Sequence, residues 1–197
     1  MFVRNCTRVL PTNVFSLPSS TGIYGFLPSK DIFHWMAHNV CDDEHPATEQ
    51  LCANFFINMF GVESELFNKS MMSFYIDHLP AGCSTYSFAH YTQLKIVGND
   101  SFSRYDWGPE GNLQKYGQIT PPEIDFSKVT APTVLYVGDS DTAACVEDNA
   151  VLASRLPNLI DNHIVDYKGW THLDFFMAMN VKEKVYDSIV SYMNNLS

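Results

Sequence analysis

The chain has 197 residues, of which 46% are hydrophobic and 14% aromatic, and a formal net charge of −10. This length suffices for one domain with a buried core, and the composition predicts a folded chain. The acidic balance argues against a nucleic-acid partner, which would require clusters of lysine and arginine, and against docking on an anionic membrane surface. Neutral lipid stays a candidate partner, because contact with it depends on apolar area.

No run of eighteen apolar residues is present, so the sequence predicts no transmembrane segment, and its first residues lack the pattern of a signal peptide. Two other features are typical of secreted proteins, namely five cysteines and four N-x-S/T sequons, at Asn5, Asn68, Asn99 and Asn195. The odd number of cysteines leaves at least one without a partner inside the monomer. The contrast between these features and the missing signal indicates that this is not a complete gene product.

Hydrophobic spacing in the first two thirds of the chain predicts mostly helix. Residues 1–40 are irregular, because prolines and glycines interrupt any long periodicity. Residues 98–130 are predicted to be loop for the same reason, with Pro109 among the interruptions. The predicted helices cover residues 48–60, 68–78 and 84–97.

The last third changes to alternating strands and helices. The predicted strands cover residues 133–137 and 163–167, and the predicted helices cover residues 146–155 and 181–194. The final helix is expected to begin with a capping box of Asn180 and Glu183 and to bury the stripe Val181, Val185, Ile189 and Met193. This order indicates the α/β class with a parallel sheet, which needs more strands than the chain obviously supplies.

Each predicted strand is followed by a polar loop, the position at which α/β proteins carry their chemistry. Residues 138–141 form the first loop, and the second contains His172. An aspartate and a histidine after neighbouring parallel strands would lie close together, as a triad carboxylate and its imidazole must. The order acid, then histidine, matches that of α/β-hydrolases. Asp141 is the candidate acid. Asp139 and Asp174 compete with it, although Asp174 is expected to begin the next helical turn.

The nucleophile of such a triad is missing from the sequence. A nucleophilic serine has the pattern G-x-S-x-G after a strand, and no such pentapeptide occurs. Ser140 occupies the place of the acid, and Ser84 begins a predicted helix. Cys83 and Cys145 are weak substitutes, because neither follows a strand turn. The sequence also contains no Cys/His cluster with zinc-ligand spacing and no glycine-rich phosphate loop, so we predict no metal site and no cofactor.

Several short motifs, in the same order along the chain, resemble the acid lipases, the family of gastric and lysosomal lipases and their insect relatives. The motifs are Val40-Cys41 with Leu51-Cys52, His78-Leu79-Pro80-Ala81-Gly82 with Ser84, His90-Tyr91-Thr92-Gln93, Tyr105-Asp106-Trp107-Gly108, Leu156-Pro157-Asn158-Leu159-Ile160 and His172-Leu173-Asp174-Phe175. The resemblance covers about residues 25–197. It implies the C-terminal part of an α/β-hydrolase fold, with two or three sheet strands and flanking helices in residues 98–197, and a mostly helical cap in residues 1–97.

The resemblance also implies an activity. It makes Asp141 the triad acid and His172 the triad base of a lipase that hydrolyses triacylglycerols, cholesteryl esters or related neutral lipid esters. The catalytic serine, the oxyanion-hole residues and the signal peptide of such lipases lie upstream of the residues matched here. The chain departs from the family in the loop after Asp141 and in a longer segment before His172, which affects the expected geometry of the histidine loop.

Further expectations come from the same resemblance. Cys41 and Cys52 match the family's disulfide in the cap region, and Asn68 falls where members also carry a sequon. Asn68, and Asn99 on its sequon alone, are the predicted glycosylation sites, and the predicted location is secreted or lysosomal.

Alternative interpretations stay open at this stage. The chain is either part of a lipid ester hydrolase whose serine half is missing from it, or a catalytically inactive, shortened pseudo-lipase that binds lipid or a protein partner. A third interpretation, an unrelated small binding domain, would make the placements of Asp141 and His172 accidental. The oligomeric state, the acyl-chain preference and the pH optimum cannot be predicted from the sequence.

Overall fold

The structure, a computed structural model, describes residues 25–26, 31–41, 48, 50–52, 54, 65–79, 81–97 and 101–196. The described residues fall into two compact units. One unit contains Ser84–Val137 and Thr142–Ile164, and the other contains Gly138–Asp141 with the described parts of Gly25–Cys83 and Val165–Ser197. Within the described ranges, no helix has the length and apolar character needed to cross a membrane.

The elements alternate in type toward the C-terminal end, as the α/β class requires. In chain order they are β1 (Gly25–Phe26), α1 (Asp31–Asn39), α2 (Met72–His78), β2 (Cys83–Ser84), α3 (Thr85–Val97), α4 (Gly108–Tyr116), β3 (Thr133–Val137), α5 (Val146–Arg155), β4 (Leu159–Ile164), α6 (Asp174–Met177) and α7 (Asp187–Leu196). Short 3₁₀ turns, Lys69–Met71 and Phe126–Lys128, precede α2 and β3, and a π turn, Lys182–Tyr186, precedes α7. The predicted helix over 48–60 is helical at residues 48, 50–52 and 54, and its remainder lies outside the described residues.

The strands β3 and β4 pair in parallel, which confirms the predicted parallel sheet. The ladder joins Thr133 to Leu159 and Val137 to Ile164. The second strand, Leu159–Ile164, therefore begins and ends earlier than the predicted range of 163–167, and the predicted bounds are wrong. Along β4 the residues alternate between half-buried and exposed, with Asp161 on the less exposed face. A half-buried strand alternates apolar and polar residues with a period of two. A search for a continuous apolar run therefore does not find its start.

Helix α4 lies inside the range predicted to be loop, so that prediction is also wrong. Pro109 does not interrupt the helix, because it occupies the first turn, where a missing N–H has no partner to lose. The helix ends at Gly117, whose φ of 74° is left-handed and whose N–H donates to the carbonyl of Leu113 at 3.1 Å. The buried Asn112 donates to Asp106 at 2.7 Å and thereby ties the helix to the preceding loop.

The second unit has an apolar core between α1 and α2. Ala37 and Cys41 lie four residues apart on one helix, and Met72 and Ile76 lie four apart on the other, so each pair presents one face. The full core consists of Ala37, Cys41, Cys52, Phe67, Met72, Ile76, Leu173 and Met177. Met72 is 1% exposed, so its truncation to alanine would cost about 2–5 kcal/mol.

The C-terminal helix occupies the predicted range but starts differently. The capping box is wrong: Asn180 accepts the N–H of Lys184 through its backbone carbonyl, while its side-chain oxygen is buried and makes no hydrogen bond to the described residues. The predicted stripe is buried only in part, since Val185 is 1% exposed and Met193 is 66% exposed. The π turn explains the difference, because it adds a residue per turn and rotates the later positions away from the stripe.

The π turn also sets a contact to the preceding loop. The hydroxyl of Tyr186, at the end of the turn, donates to the carbonyl of Phe175 at 2.6 Å. The helix is thereby fastened to the segment that follows His172.

Candidate active site

The candidate acid lies in a tight turn directly after β3. The N–H of Asp141 donates to the carbonyl of Gly138 at 3.3 Å, which turns the chain at the end of the strand. The side chain of Asp141 is 2% exposed, so its carboxylate is removed from water. A carboxylate in this position retains its charge only with strong partners.

His172 supplies such a partner. Its Nδ1 atom lies 2.9 Å from Oδ2 of Asp141, and both residues belong to the same compact unit. Because an ionised carboxylate can only accept hydrogen bonds, Nδ1 carries the proton and the lone pair of the neutral ring lies on Nε2. The histidine side chain is 41% exposed, in contrast to the buried aspartate. The arrangement leaves Nε2 able to accept a proton from a group brought to the exposed side of the ring.

The same pair changes the acid–base behaviour of the histidine. The hydrogen bond to Asp141 raises the pKa of His172 above its ordinary value of 6.5, burial opposes that shift, and the aspartate charge adds to it. The imidazolium form is therefore stabilised relative to a histidine in water. A base that holds a transferred proton more strongly suits general acid–base catalysis near neutral or mildly acidic pH.

Hydrogen bonds fasten the segment before His172 to the turn before Asp141. Oδ1 of Asp139 accepts the backbone N–H groups of Gly169 and Trp170, each at 2.9 Å. In return, the N–H of Ser140 donates to the carbonyl of Trp170 at 3.0 Å. Asp139 was a competing candidate for the acid, and the structure places it in this positioning role.

Gly138 allows the two segments to approach this closely. A Cβ atom at residue 138 would lie 2.3 Å from the carbonyl oxygen of Trp170, well inside van der Waals contact. The indole of Trp170 is fully buried and meets Tyr167 and Phe175 edge to face. This close contact and the packed ring of Trp170 set the distance between the segment that carries His172 and the turn that carries Asp141.

A second carboxylate fixes the residue just before the histidine. Oδ2 of Asp174 accepts the N–H of Thr171 at 2.7 Å and its hydroxyl at 2.8 Å. Asp174 begins α6, as predicted, and is fully buried. Its reach back to a residue three positions earlier is that of a capping box. Thr171 was missed as a site residue, although its T-x-x-D spacing to Asp174 was a readable signal.

The cysteines take no part in the pair. Cys41 and Cys52 form a disulfide, the pairing that the resemblance implied. Cys145 is buried and disulfide-bonded, and burial raises the pKa of the Cys83 thiol. Cys145 therefore has no free thiol, and Cys83 lacks the depressed thiol pKa of a catalytic cysteine.

Of the two predicted glycosylation sites, Asn68 lies within the described residues. Asn68 is half-buried and its side-chain oxygen accepts the hydroxyl of Ser70 at 2.7 Å. Asn99 lies outside the described residues. Among the described residues, one group of side chains could hold a cation, and it lies on α1 and α2 rather than at the Asp141–His172 pair.

Over most of its length, the chain is similar in sequence to known lipases. Gastric triacylglycerol lipase of Rattus norvegicus is 34% identical over 185 residues, which are 93% of this chain and 45% of the relative. The human enzyme of the same name is 32% identical over 191 residues, or 96% of the chain and 46% of the relative. Lysosomal acid lipase/cholesteryl ester hydrolase of Rattus norvegicus is 30% identical over 169 residues, or 85% and 41%.

The chain belongs to the acid lipase family. This confirms the resemblance drawn from the short motifs, and with it the α/β-hydrolase superfamily. No protein-family model matches the chain. The chain spans less than half the length of these acid lipases.

Proposed function

We propose that Asp141 and His172 are the acid and the base of a Ser-His-Asp triad in a lipid ester hydrolase. The serine would be contributed by polypeptide other than these 197 residues, since the sequence has no G-x-S-x-G pentapeptide. The observation that carries the proposal is the 2.9 Å contact between Nδ1 of His172 and the buried carboxylate of Asp141. The family membership supports it, because the similar proteins are named as lipases.

The proposed mechanism assigns one task to each residue. Nε2 of His172 takes the proton of the serine hydroxyl as the oxygen attacks the ester carbonyl, and later returns it to the departing alkoxide. Asp141 holds the ring in the required tautomer and stabilises the imidazolium that forms. Asp139, Thr171 and Asp174 act through His172, because their hydrogen bonds hold the segment that carries it.

The proposed substrate is a neutral lipid ester, of the triacylglycerol or cholesteryl ester type. The net charge of −10 disfavours polyanionic substrates and is compatible with an uncharged lipid. The proposed cap, residues 1–97, would contribute apolar surface that contacts the acyl chains of such a substrate. In its described part, large apolar side chains are exposed at Trp35, Leu51 and Phe74. Such surface suits contact with acyl chains.

We also propose a secreted or lysosomal location with glycosylation at Asn68. The Cys41–Cys52 disulfide supports it, because disulfides persist in oxidising compartments. The side chain of Asn68 lies in a turn before α2.

A second candidate function is that of a pseudo-lipase that binds lipid without hydrolysing it. The missing serine favours this alternative, because loss of one triad member in comparable enzymes lowers kcat by several orders of magnitude.

Intact mass and active-site labelling of the native protein separate the two candidates. The native polypeptide, purified from its source, is deglycosylated, weighed and treated with a fluorophosphonate that modifies activated serines. A mass well above 22.3 kDa together with stoichiometric labelling supports the hydrolase. A mass near 22.3 kDa without labelling rejects it and leaves lipid binding, which is then measured with trioleoylglycerol emulsions.

A further inference from the structure

Two exposed histidines and one aspartate, none of them part of the Asp141–His172 pair, converge between α1 and α2. His34 and His38 lie four residues apart on α1 and therefore project from the same face. Asp77, near the end of α2, faces them, and the ligand atoms of all three side chains lie within 4.8 Å of one another. We propose that these three side chains form a binding site for a borderline divalent cation, with zinc as the best match.

The aspartate oxygen between the histidines is the first argument. Oδ1 of Asp77 contacts Nδ1 of His34 and lies 3.5 Å from Nε2 of His38. This oxygen is buried, yet it makes no hydrogen bond to the described residues. A buried carboxylate oxygen without a hydrogen bond is costly, and a bound cation would satisfy it.

The alternative explanation is an ion pair. In that case at least one of the two rings would donate an N–H hydrogen bond to Oδ1 of Asp77. Neither ring donates a hydrogen bond to that oxygen, as an ion pair of this kind would require. A cation uses the same arrangement without this conflict, since neutral imidazoles and a carboxylate all present lone pairs to it.

The ligand set selects the metal. Imidazole nitrogen with a single carboxylate is a common combination for zinc, whereas magnesium and calcium prefer oxygen ligands. In tetrahedral zinc sites two ligand atoms lie about 3.4 Å apart, which follows from bond lengths of about 2.1 Å. The 3.5 Å separation between Nε2 of His38 and Oδ1 of Asp77 agrees with this spacing, whereas Nδ1 of His34 lies closer to that oxygen and would have to move outward to bind the same ion. Three protein ligands leave the fourth position to water.

The neighbouring His78 is not part of the ligand set. Its Nδ1 atom lies 2.9 Å from the carbonyl of Phe74 and therefore carries a proton. It is also 3.9 Å from Oδ2 of Asp77, on the other side of the carboxylate. Because this histidine has similar exposure and adjoins the site in sequence, it provides a matched control.

The scaffold below the site is already ordered. Ala37 and Cys41 pack against Met72 and Ile76 in the apolar core, and the Cys41–Cys52 disulfide closes the end of α1. The histidines lie next to this buried face of α1, at the rim of the helix contact. A cation there would link two helices that already contact each other, so little ordering of the backbone opposes binding.

Calorimetric titration with zinc tests the site directly. The untagged 197-residue chain, with its thiols alkylated and its disulfides intact, is titrated with zinc chloride and, separately, with magnesium chloride. We expect one equivalent of zinc to bind, no binding of magnesium, and a rise in Tm at saturating zinc. Absence of zinc binding to the folded chain would overturn the proposal.

Three single variants and one control locate the bound metal. His34→Gln, His38→Gln and Asp77→Asn should each weaken zinc binding by more than about tenfold, since even outer partners of a metal contribute that much. His78→Gln should bind as the unmodified chain does. Both histidine ligands are exposed, so the variants should keep the circular dichroism spectrum of the folded chain. If the three variants retain full affinity, or if His78→Gln loses as much, the assignment is wrong.

Discussion

Among the described residues of the second unit, histidine meets aspartate at two places with different surroundings. At the triad candidate, the Asp141 side chain is 2% exposed and the His172 side chain 41% exposed. At the proposed cation site, Asp77 is 19% exposed, and His34 and His38 are 66% and 61% exposed. Hydrogen bonds to Asp139 and Asp174 hold the segment that carries His172, while helix spacing places His34 and His38 on one face of α1.

The difference shows how one pair of residue types can serve two kinds of chemistry. One histidine on one buried carboxylate, with Nδ1 engaged and Nε2 available, is an arrangement for moving a proton. Two histidines around a single carboxylate oxygen, with no hydrogen bond to it, are an arrangement for sharing a cation. The number of imidazoles and the burial of the carboxylate separate the two sites.

The largest expected effect is on catalysis. If the proposed triad operates, His172→Gln in the native protein should lower kcat/KM for trioleoylglycerol by about 10⁴-fold or more, because no base is left for the serine. His163→Gln, which alters a half-buried histidine on β4, should leave activity unchanged. Equal losses in both variants would show that the chain lacks a specific base at residue 172.

A substitution in the turn before the acid tests how closely the two segments must pass. Gly138→Ala should destabilise the chain by about 1–3 kcal/mol, since the added Cβ meets a backbone oxygen that a side-chain rotation cannot move. Urea unfolding measures this cost. Gly25→Ala is the matched control, because a Cβ at Gly25 meets nothing within 4 Å. A stable Gly138→Ala variant with unchanged activity would contradict the close-contact argument.

The pKa of His172 provides a smaller and more specific test. The hydrogen bond to Asp141 raises it above 6.5, so Asp141→Asn should lower it in an NMR titration, while the resonances of His163 stay in place. The sign of the effect on stability follows. A raised pKa in the folded state stabilises the protein below pH 6.5, and this contribution is lost as the pH rises through the raised value. The stability difference between the unmodified chain and Asp141→Asn should therefore shrink on going to alkaline pH.

The smallest effect is expected at the residue before the histidine. Thr171→Val removes the hydroxyl that donates to the buried Asp174 and should cost about 1 kcal/mol in free energy of unfolding. Thr120→Val, at an exposed position, should cost much less. If Thr171→Val also lowers kcat with KM unchanged, the bond positions the histidine. A loss of stability with full activity would restrict Thr171 to a structural role.

The sequence predicted that Asp141 and His172 lie close together because strand ends have a readable pattern. A compact apolar run at 133–137, followed by Gly138 and two aspartates, places an acid at a sheet edge, and His172 follows the next strand. The contacts that support the pair were not predictable in the same way. Asp139 accepts two backbone N–H groups from a segment about thirty residues later, and such long-range bonds have no local signature.

The wrong predictions share a physical cause, namely local signals that have two meanings. Pro109 was taken to break a helix, whereas at the first turn of α4 a proline favours one. Asn180 has the spacing of a helix cap, but its side chain turns away and the backbone carbonyl takes the bond. The prediction of no metal site rested on the absence of a Cys/His cluster with zinc-ligand spacing, and it stays a prediction. The proposed site at His34 and His38 draws its third ligand from a different helix.

Because of the π turn at Lys182–Tyr186, the number of residues in the last helix determines which of its side chains face the rest of the unit. A π turn holds one residue more than an α turn, so deleting a single residue there would restore an ordinary helix and rotate all that precedes or follows it by about 100°. The hydroxyl of Tyr186 would then point away from the carbonyl of Phe175, which it now reaches at 2.6 Å. A related sequence with an insertion or deletion across this turn is therefore expected to lack the hydrogen bond that corresponds to the one between Tyr186 and Phe175.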